Sequence, residues 1–413
     1  MREGGVLDKK RILISTTFFS DFSNAAIIYV FTLSMKGEKA IWFSLLWGMY
    51  YFGSFLSHLL MGLFIDRIIP KKAMFFSEII RLILVGVTLI LLVGNAMSGV
   101  IYVAIMTLIG LAEPIFHPAE IRLIYHYFSK SELTKVNSVL ELSDQLMSVI
   151  APIVLLFLSY SLFHVYAYGL IIVVLLISLV FISLLPDYGK GRLGSSRSGI
   201  KAKCDEMLSG YQYILKNNQL LVASVTLLIT NLAFGIVSPL LLPLIQQGFS
   251  MNITTIYTAV SAFESVGLLV SAYLFLRLKK MILLEKKMEV VSYISTGIIG
   301  LCLLLIGSSY HNVYLIAASY FSLGLVTAIF NILNNLNFQF AANDKVVGKV
   351  YAFKGLITVL GFVLGTIIGG LLSEKLAIND VFRSTGLMLL VPIVLFFTAS
   401  GFEKWHTKIN TEK

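Results

Sequence analysis

The stretch Gly62-Leu63-Phe64-Ile65-Asp66-Arg67-Ile68-Ile69-Pro70-Lys71-Lys72 is a short charged break between two long apolar runs, 41–65 and 73–94. Each run exceeds the length of about 20 residues that crosses roughly 30 Å of hydrocarbon at about 1.5 Å rise per residue. Working outward, similar runs lie at 12–33, 98–121, 138–159 and 163–185, and beyond a long polar stretch at 220–246, 255–278, 288–308, 312–336, 350–372 and 383–402. The break has its own physical logic. Gly62 permits close packing, Asp66 is available to a helix end or an arginine, and the basic residues sit at headgroup level.

Basic residues recur in every second gap between the runs. The alternate gaps hold only Lys36, Lys39, Lys375 and Arg383. Short basic loops stay on the cytoplasmic side, so a plasma-membrane protein with both termini inside is expected. The net charge of +10 is then topological, and no nucleic-acid partner follows from it. Composition agrees: 57% of residues are hydrophobic, only 13% are charged, and mean hydropathy is +0.88. The first run has no small-residue cleavage site after Lys9, Lys10 and Arg11, so it reads as a retained helix rather than a signal peptide. Cys204 and Cys302 fall in a cytoplasmic loop and inside a span, and no metal-ligand spacing is present.

The polar stretch from Pro186 to Asn218 mixes Gly and Ser with Lys and Arg, and its part from Cys204 to Leu215 has the pattern of a short amphipathic surface helix. It divides the chain into a first six-helix bundle at 1–185, a linker at 186–218 and a second six-helix bundle at 219–413. The expected fold class is an all-α polytopic membrane protein of twelve transmembrane helices, and internal duplication of this kind is a transporter signature. Outer loops such as Asn95–Ser98 leave no room for an extracellular enzyme domain. There is neither a Walker A loop nor a Ser/His/Asp grouping, so neither ATP-driven transport nor catalysis is expected.

The loop from Gly62 to Lys72 resembles the cytoplasmic signature of the major facilitator superfamily: a Gly, three residues, Asp-Arg, then basic residues. The corresponding loop after span 8 keeps only charge, at Arg277, Lys279 and Lys280. Phe116-His117-Pro118-Ala119, Glu132 to Ser138, and Gly348-Lys349-Val350-Tyr351 ahead of a glycine-rich span resemble the macrolide-efflux subgroup. Two places depart from the family pattern. Span 5 lacks glycine and reads Ile150-Ala151-Pro152-Ile153 where antiporters carry a Gly-Pro run, and Gly110 stands near the place of the family's span 4 arginine. The resemblance implies two bundles rocking around a central site, with Gly62, Asp66 and Arg67 governing cytoplasmic closure.

Charges inside the spans are the functional signal, because a charge near mid-bilayer costs at least roughly 2.5–3.5 kcal/mol on insertion scales. Asp21 lies about 14 Å into span 1, near the midplane, with Ser20, Ser23 and Asn24 beside it. Glu113 precedes Pro114, whose kink frees a backbone carbonyl, and Glu264 lies in span 8. Such a carboxyl can load a proton, attract a cationic substrate or form a structural pair. Glu78 and Arg81, three residues apart, are suited to pair along span 3. Arg122 is placed to bridge to Glu141 or Asp144 as an inward gate, or to form an ordinary interfacial network. Asn331, Asn334 and Asn335 follow helical spacing and, with Asn231, make the second half polar but nearly uncharged.

The leading functional expectation is secondary active export of an amphipathic small molecule, drug-like or a metabolite, by proton antiport. Asp21, Glu113 and Glu264 would carry coupling or binding, and Asn24, Asn231, Asn331, Asn334 and Asn335 would line the cavity. The drug label rests on resemblance alone. The alternatives are an endogenous siderophore or metabolite exporter, and a lysophospholipid facilitator without proton coupling. Partners would be the substrate, protons and lipids, with the proton gradient in place of a cofactor, no metal and a monomeric state.

Overall fold

The computed structural model describes residues 2–64, 68–157, 163–186, 214–215, 217–282, 285–341 and 347–391. Among the described residues regular structure is helical throughout. The first half comprises α1 (Arg2–Ser34), α2 (Ala40–Phe64), α3 (Pro70–Val93), α4 (Gly99–Ala112), a 3-10 turn at Glu113–Ile115, α5 (Phe116–Tyr127), α6 (Lys130–Phe157) and α7 (Phe163–Leu184). The second comprises α8 (Asn218–Val237), α9 (Leu241–Gly248), α10 (Ile253–Ile282), α11 (Glu285–Ser308), α12 (Val313–Ala341), α13 (Val347–Ser373) and a further helix, α14, at 378–391.

Nine helical segments among the described residues are long and apolar enough to cross a membrane. The other predicted spans correspond to α2, to α6 with its apolar Leu146–Phe157 part, and to α14. Two predicted spans are interrupted. Span 4 breaks into α4 and α5 at Pro114, and span 7 into α8 and α9 around Pro239, which has no N–H to continue the helix. The breaks between elements have local causes. Pro70 opens α3 at a position where its missing N–H is harmless, and the Ser98 side chain accepts from the Ile101 N–H to start α4.

The chain divides into two compact units, Met1–Glu206 and Met207–Lys413. In the first, α1 packs on α6 and α7, α2 on α4, and α3 on α5 and α7. In the second, α8 packs on α13, α10 on α12, and α11 on α12. Lipid offers no hydrophobic drive between helices, so close approach depends on small residues. A Cβ on Gly110 would collide with the Tyr50 carbonyl across α2 and α4, and one on Gly324 with the Glu264 carbonyl across α10 and α12. These are spans 2 and 4, and spans 8 and 10. The sequence duplication therefore reappears as the same crossing in each unit.

Polarity is arranged for lipid. Ile83, Ile90, Leu176, Val180, Leu301 and Ile367 face outward, whereas Thr17, Ser20, Asp21, Glu78, Arg81 and Ser178 are buried. Phe31 anchors one end of the first unit, edge-on to Tyr102 and Tyr168 with centroids 5.8 and 5.5 Å away. Leu13, Met74, Phe116, Leu123 and Ile182 form an apolar cluster at the other end. Most of the linker and of its amphipathic segment, Asp66, Arg67 and residues 392–402 of the last span lie outside the described residues, as do the surroundings of Gly62 and the side chain of Glu141.

Candidate functional site

Helical spacing builds a polar interior in the first unit. On α1, Thr17, Ser20, Asp21 and Asn24 occur at intervals of three and four and so share one face. Glu113, His117 and Glu120 do the same through the 3-10 turn and α5. That turn follows from Pro114: the Phe116 N–H bonds the Glu113 carbonyl, and the Ala112 carbonyl instead accepts from Ser77 Oγ at 2.8 Å.

His117 sits between two carboxyls, with Nε2 3.2 Å from Glu113 Oε1 and Nδ1 3.3 Å from Glu120 Oε2. Its side chain is 47% exposed, whereas those of Glu113 and Glu120 are 12% and 4% exposed. Thr17 Oγ1 donates to the other Glu120 oxygen, tying α5 to α1. An imidazolium donates to both carboxylates. A neutral ring donates to one only, and the second contact is then a hydrogen bond only if that carboxyl is itself protonated. The imidazole therefore bridges the two carboxyls along one helical face.

Asp21 is buried and accepts a 2.8 Å hydrogen bond from Ser143 Oγ of α6. It lies within electrostatic reach of His117, Glu120 and Asp144. One residue before it, Ser20 Oγ accepts from Arg81 Nη2 at 2.7 Å. Arg81 and Glu78 are fully buried on α3 and pair at 2.7 Å, and Ser178 of α7 donates to the same Glu78 oxygen at 3.1 Å. Arg81 Cζ also stands 6.0 Å from the Phe116 ring centroid. Asn24 accepts from the Tyr50 hydroxyl of α2 at 3.3 Å.

Asp21, Glu113 and Asn24 thus share the first unit, with His117, Glu120 and Arg81 added to them. Glu264 belongs to the second unit on α10, and among the described residues its carboxyl has no hydrogen bond or ion pair. Asp144 is exposed on α6. Arg122 Nη1 donates to the Ile68 carbonyl at 2.9 Å. Asn231 is buried on α8 and donates to its own helix at the Leu227 carbonyl, 2.8 Å away. The amides of α12 divide: Asn334 is buried together with Asn337, whereas Asn331 and Asn335 are exposed, and Lys354 donates to Asn335. His117 and Glu120 were legible in principle, because their spacing from Glu113 already puts all three on one face. Among the described residues no group of three or more His, Cys, Asp or Glu side chains is arranged to hold a metal ion.

Residues 13–346 match the model of the Major Facilitator Superfamily. The chain belongs to that superfamily. Solved structures of similar fold include a mutant of the nucleoside transporter NupG, with a TM-score of 0.75, 13% identity and coverage of 95% of this chain and 99% of that one. A POT family transporter in complex with 5-aminolevulinic acid gives a TM-score of 0.70 at 14% identity, covering 95% and 96% of the two chains. The peptide transporter POT in complex with sulfate gives 0.68 at 13%, covering 95% and 94%. No curated protein sequence gives a significant match. The molecule is a multi-pass membrane transporter of this superfamily rather than an enzyme.

Proposed function

We propose that this transporter exports an amphipathic small molecule in exchange for protons, with Asp21, Glu113, His117 and Glu120 as the exchange site. The observation that carries the reading is the placement of His117 between two interior carboxyls, with Asp21 in electrostatic reach. Arg81 is already matched by Glu78. Three ionised carboxyls against one imidazolium would leave net negative charge in the interior, which is costly. Either protons or a cationic substrate group relieves that cost, so the two compete for one place. Outward transport and the macrolide-like substrate class rest on the resemblance in Phe116 to Ala119 and Gly348 to Tyr351. Termini on the cytoplasmic side rest on the basic gaps.

Acidified inside-out vesicles carrying the protein, challenged with macrolides, organic cations, siderophores and lysolipids, test this. Substrate-triggered proton release that disappears in Asp21→Asn and His117→Gln is the expected result. Substrate flux with no proton movement in the wild type would sink the coupling and favour facilitated movement of a lipid or metabolite.

A further inference from the structure

Ser77 and Arg81 lie about one turn apart on the same face of α3, and α3 packs against the 3-10 turn that carries Glu113. Ser77 Oγ bonds the carbonyl of Ala112, the residue before Glu113, at 2.8 Å. Arg81 Cζ stands 6.0 Å from the ring centroid of Phe116, whose N–H bonds the Glu113 carbonyl. Glu113 is thus flanked by two contacts with α3. Arg81 is fully buried and makes its bonds to Glu78 and to Ser20 through Nη2. Nε and Nη1 are buried with no hydrogen-bond partner among the described residues, and interior donors left this way are costly. Glu113 uses Oε1 for His117 and keeps a second oxygen.

From this placement we infer that Arg81 is a positioning residue of the exchange site, the permanent cation that supports the Glu113 carboxylate when His117 gives up its proton. The inference rests on the proton-exchange function proposed for that site. Glu113 lies within electrostatic reach of three basic groups, His117, His58 of α2 and Arg81. Only the guanidinium keeps its charge at every working pH. The acids around His117 are Glu113, Glu120, Asp21 and Asp144. Glu78 matches Arg81 on α3 itself, helped by the Ser178 hydroxyl of α7. α4 carries no charged residue, and His164 of α7 lies about 21 Å along the helix from Ser178. A neutral imidazole donates to one carboxylate only. Glu120 has a second donor in Thr17 Oγ1, which does not depend on the proton of His117. Arg81 gives Glu113 the same independence.

The test is the titration of His117 itself, followed by NMR of ring-labelled histidine in the purified full chain in detergent, without substrate. His117→Gln identifies its signal. Arg81→Met is expected to raise the pH at which His117 loses its proton by about one unit, because Glu113 then depends on His117 alone. Glu78→Gln leaves the charge of the guanidinium unmatched and should lower that pH. Arg81→Lys keeps the charge and should stay near the wild-type value. If Arg81→Met fails to fold, Glu78→Leu/Arg81→Met carries the same expectation, since removing a buried pair together is better tolerated. A lower melting temperature with an unmoved His117 titration would mean that Arg81 only fastens α3 to α1, and would overturn the inference. So would a titration that moves the same way in Glu78→Gln as in Arg81→Met. The exchange function fails separately, in the absence of substrate-triggered proton release, because this titration needs no substrate.

Discussion

Arg81 illustrates how a charge is kept inside a membrane bundle. Its guanidinium is bound to Glu78 and Ser20, while Nε, Nη1 and the second Glu78 oxygen have no partner among the described residues. Removing one member of a buried pair strands the other, at roughly 3–5 kcal/mol, whereas replacing both with apolar residues is often neutral. Arg81→Met should therefore lower the melting temperature far more than the double variant Glu78→Leu/Arg81→Met. Equal losses would mean that the pair is not the source of the stability. Glu132 offers a contrast outside the apolar part of α6. Its hydrogen bond to Lys10, with further bonds from Ser129, holds its carboxyl down at about 2, below the ordinary glutamate value of 4.5. A depressed folded value means that this stabilisation is present above about pH 4.5 and is lost as pH falls toward 2. Glu132→Gln should thus show a smaller fall in melting temperature than wild type between pH 5 and 3, and a parallel fall would contradict that. Asp21 and Glu113 were legible in the sequence because a carboxyl within an apolar run stands out. Arg81 was legible only as a partner of Glu78. Its bond to Ser20 joins residues far apart in the chain, which local spacing does not reveal.

At the scale of elements, crossings between helices are set by glycine more than by apolar bulk. Gly110 has the Tyr50 carbonyl where a Cβ would go, so Gly110→Val must force α2 and α4 apart. Overpacking of this kind costs about 1–3 kcal/mol, and the expected readout is a lower melting temperature. Gly86 has nothing near it, so Gly86→Ala should leave the melting temperature within a degree or two of wild type. If both variants behave alike, the close crossing is not structurally demanding. Gly110 stood out in the sequence only as a missing arginine; its packing role needed the partner helix. The amides of α12 show the same limit. About 100° per residue places Asn331 and Asn335 about 40° apart, and Asn334 and Asn337 about 60° apart, on neighbouring arcs of the helix. The spacing of Asn331, Asn334 and Asn335 suggests a single face, but which arc is buried depends on α8 and α11. Pro114 was the more informative signal, since a missing N–H dictates a local break whatever packs nearby.

The whole molecule is a duplication that is visible twice. Hydropathy gives twelve runs with basic residues in alternate gaps, and the crossings of spans 2 with 4 and 8 with 10 repeat the pattern in packing. Fold was legible because lipid requires long apolar helices with internally satisfied backbone. Substrate was not, since it depends on side chains gathered from distant helices. The units also differ in chemistry: the first gathers Asp21, Glu113, His117, Glu120 and Arg81, while the polar interior of the second is built largely of amides and hydroxyls. This asymmetry supports the proposal that proton exchange belongs to the first unit. The most direct test is proton release by the purified protein in weakly buffered detergent with a pH indicator, on adding whichever compound the vesicle screen identifies. The expected result is proton release on substrate binding, abolished in Asp21→Asn and retained in Glu264→Gln. Release that survives Asp21→Asn and vanishes in Glu264→Gln would contradict the account and move the exchange to the second unit.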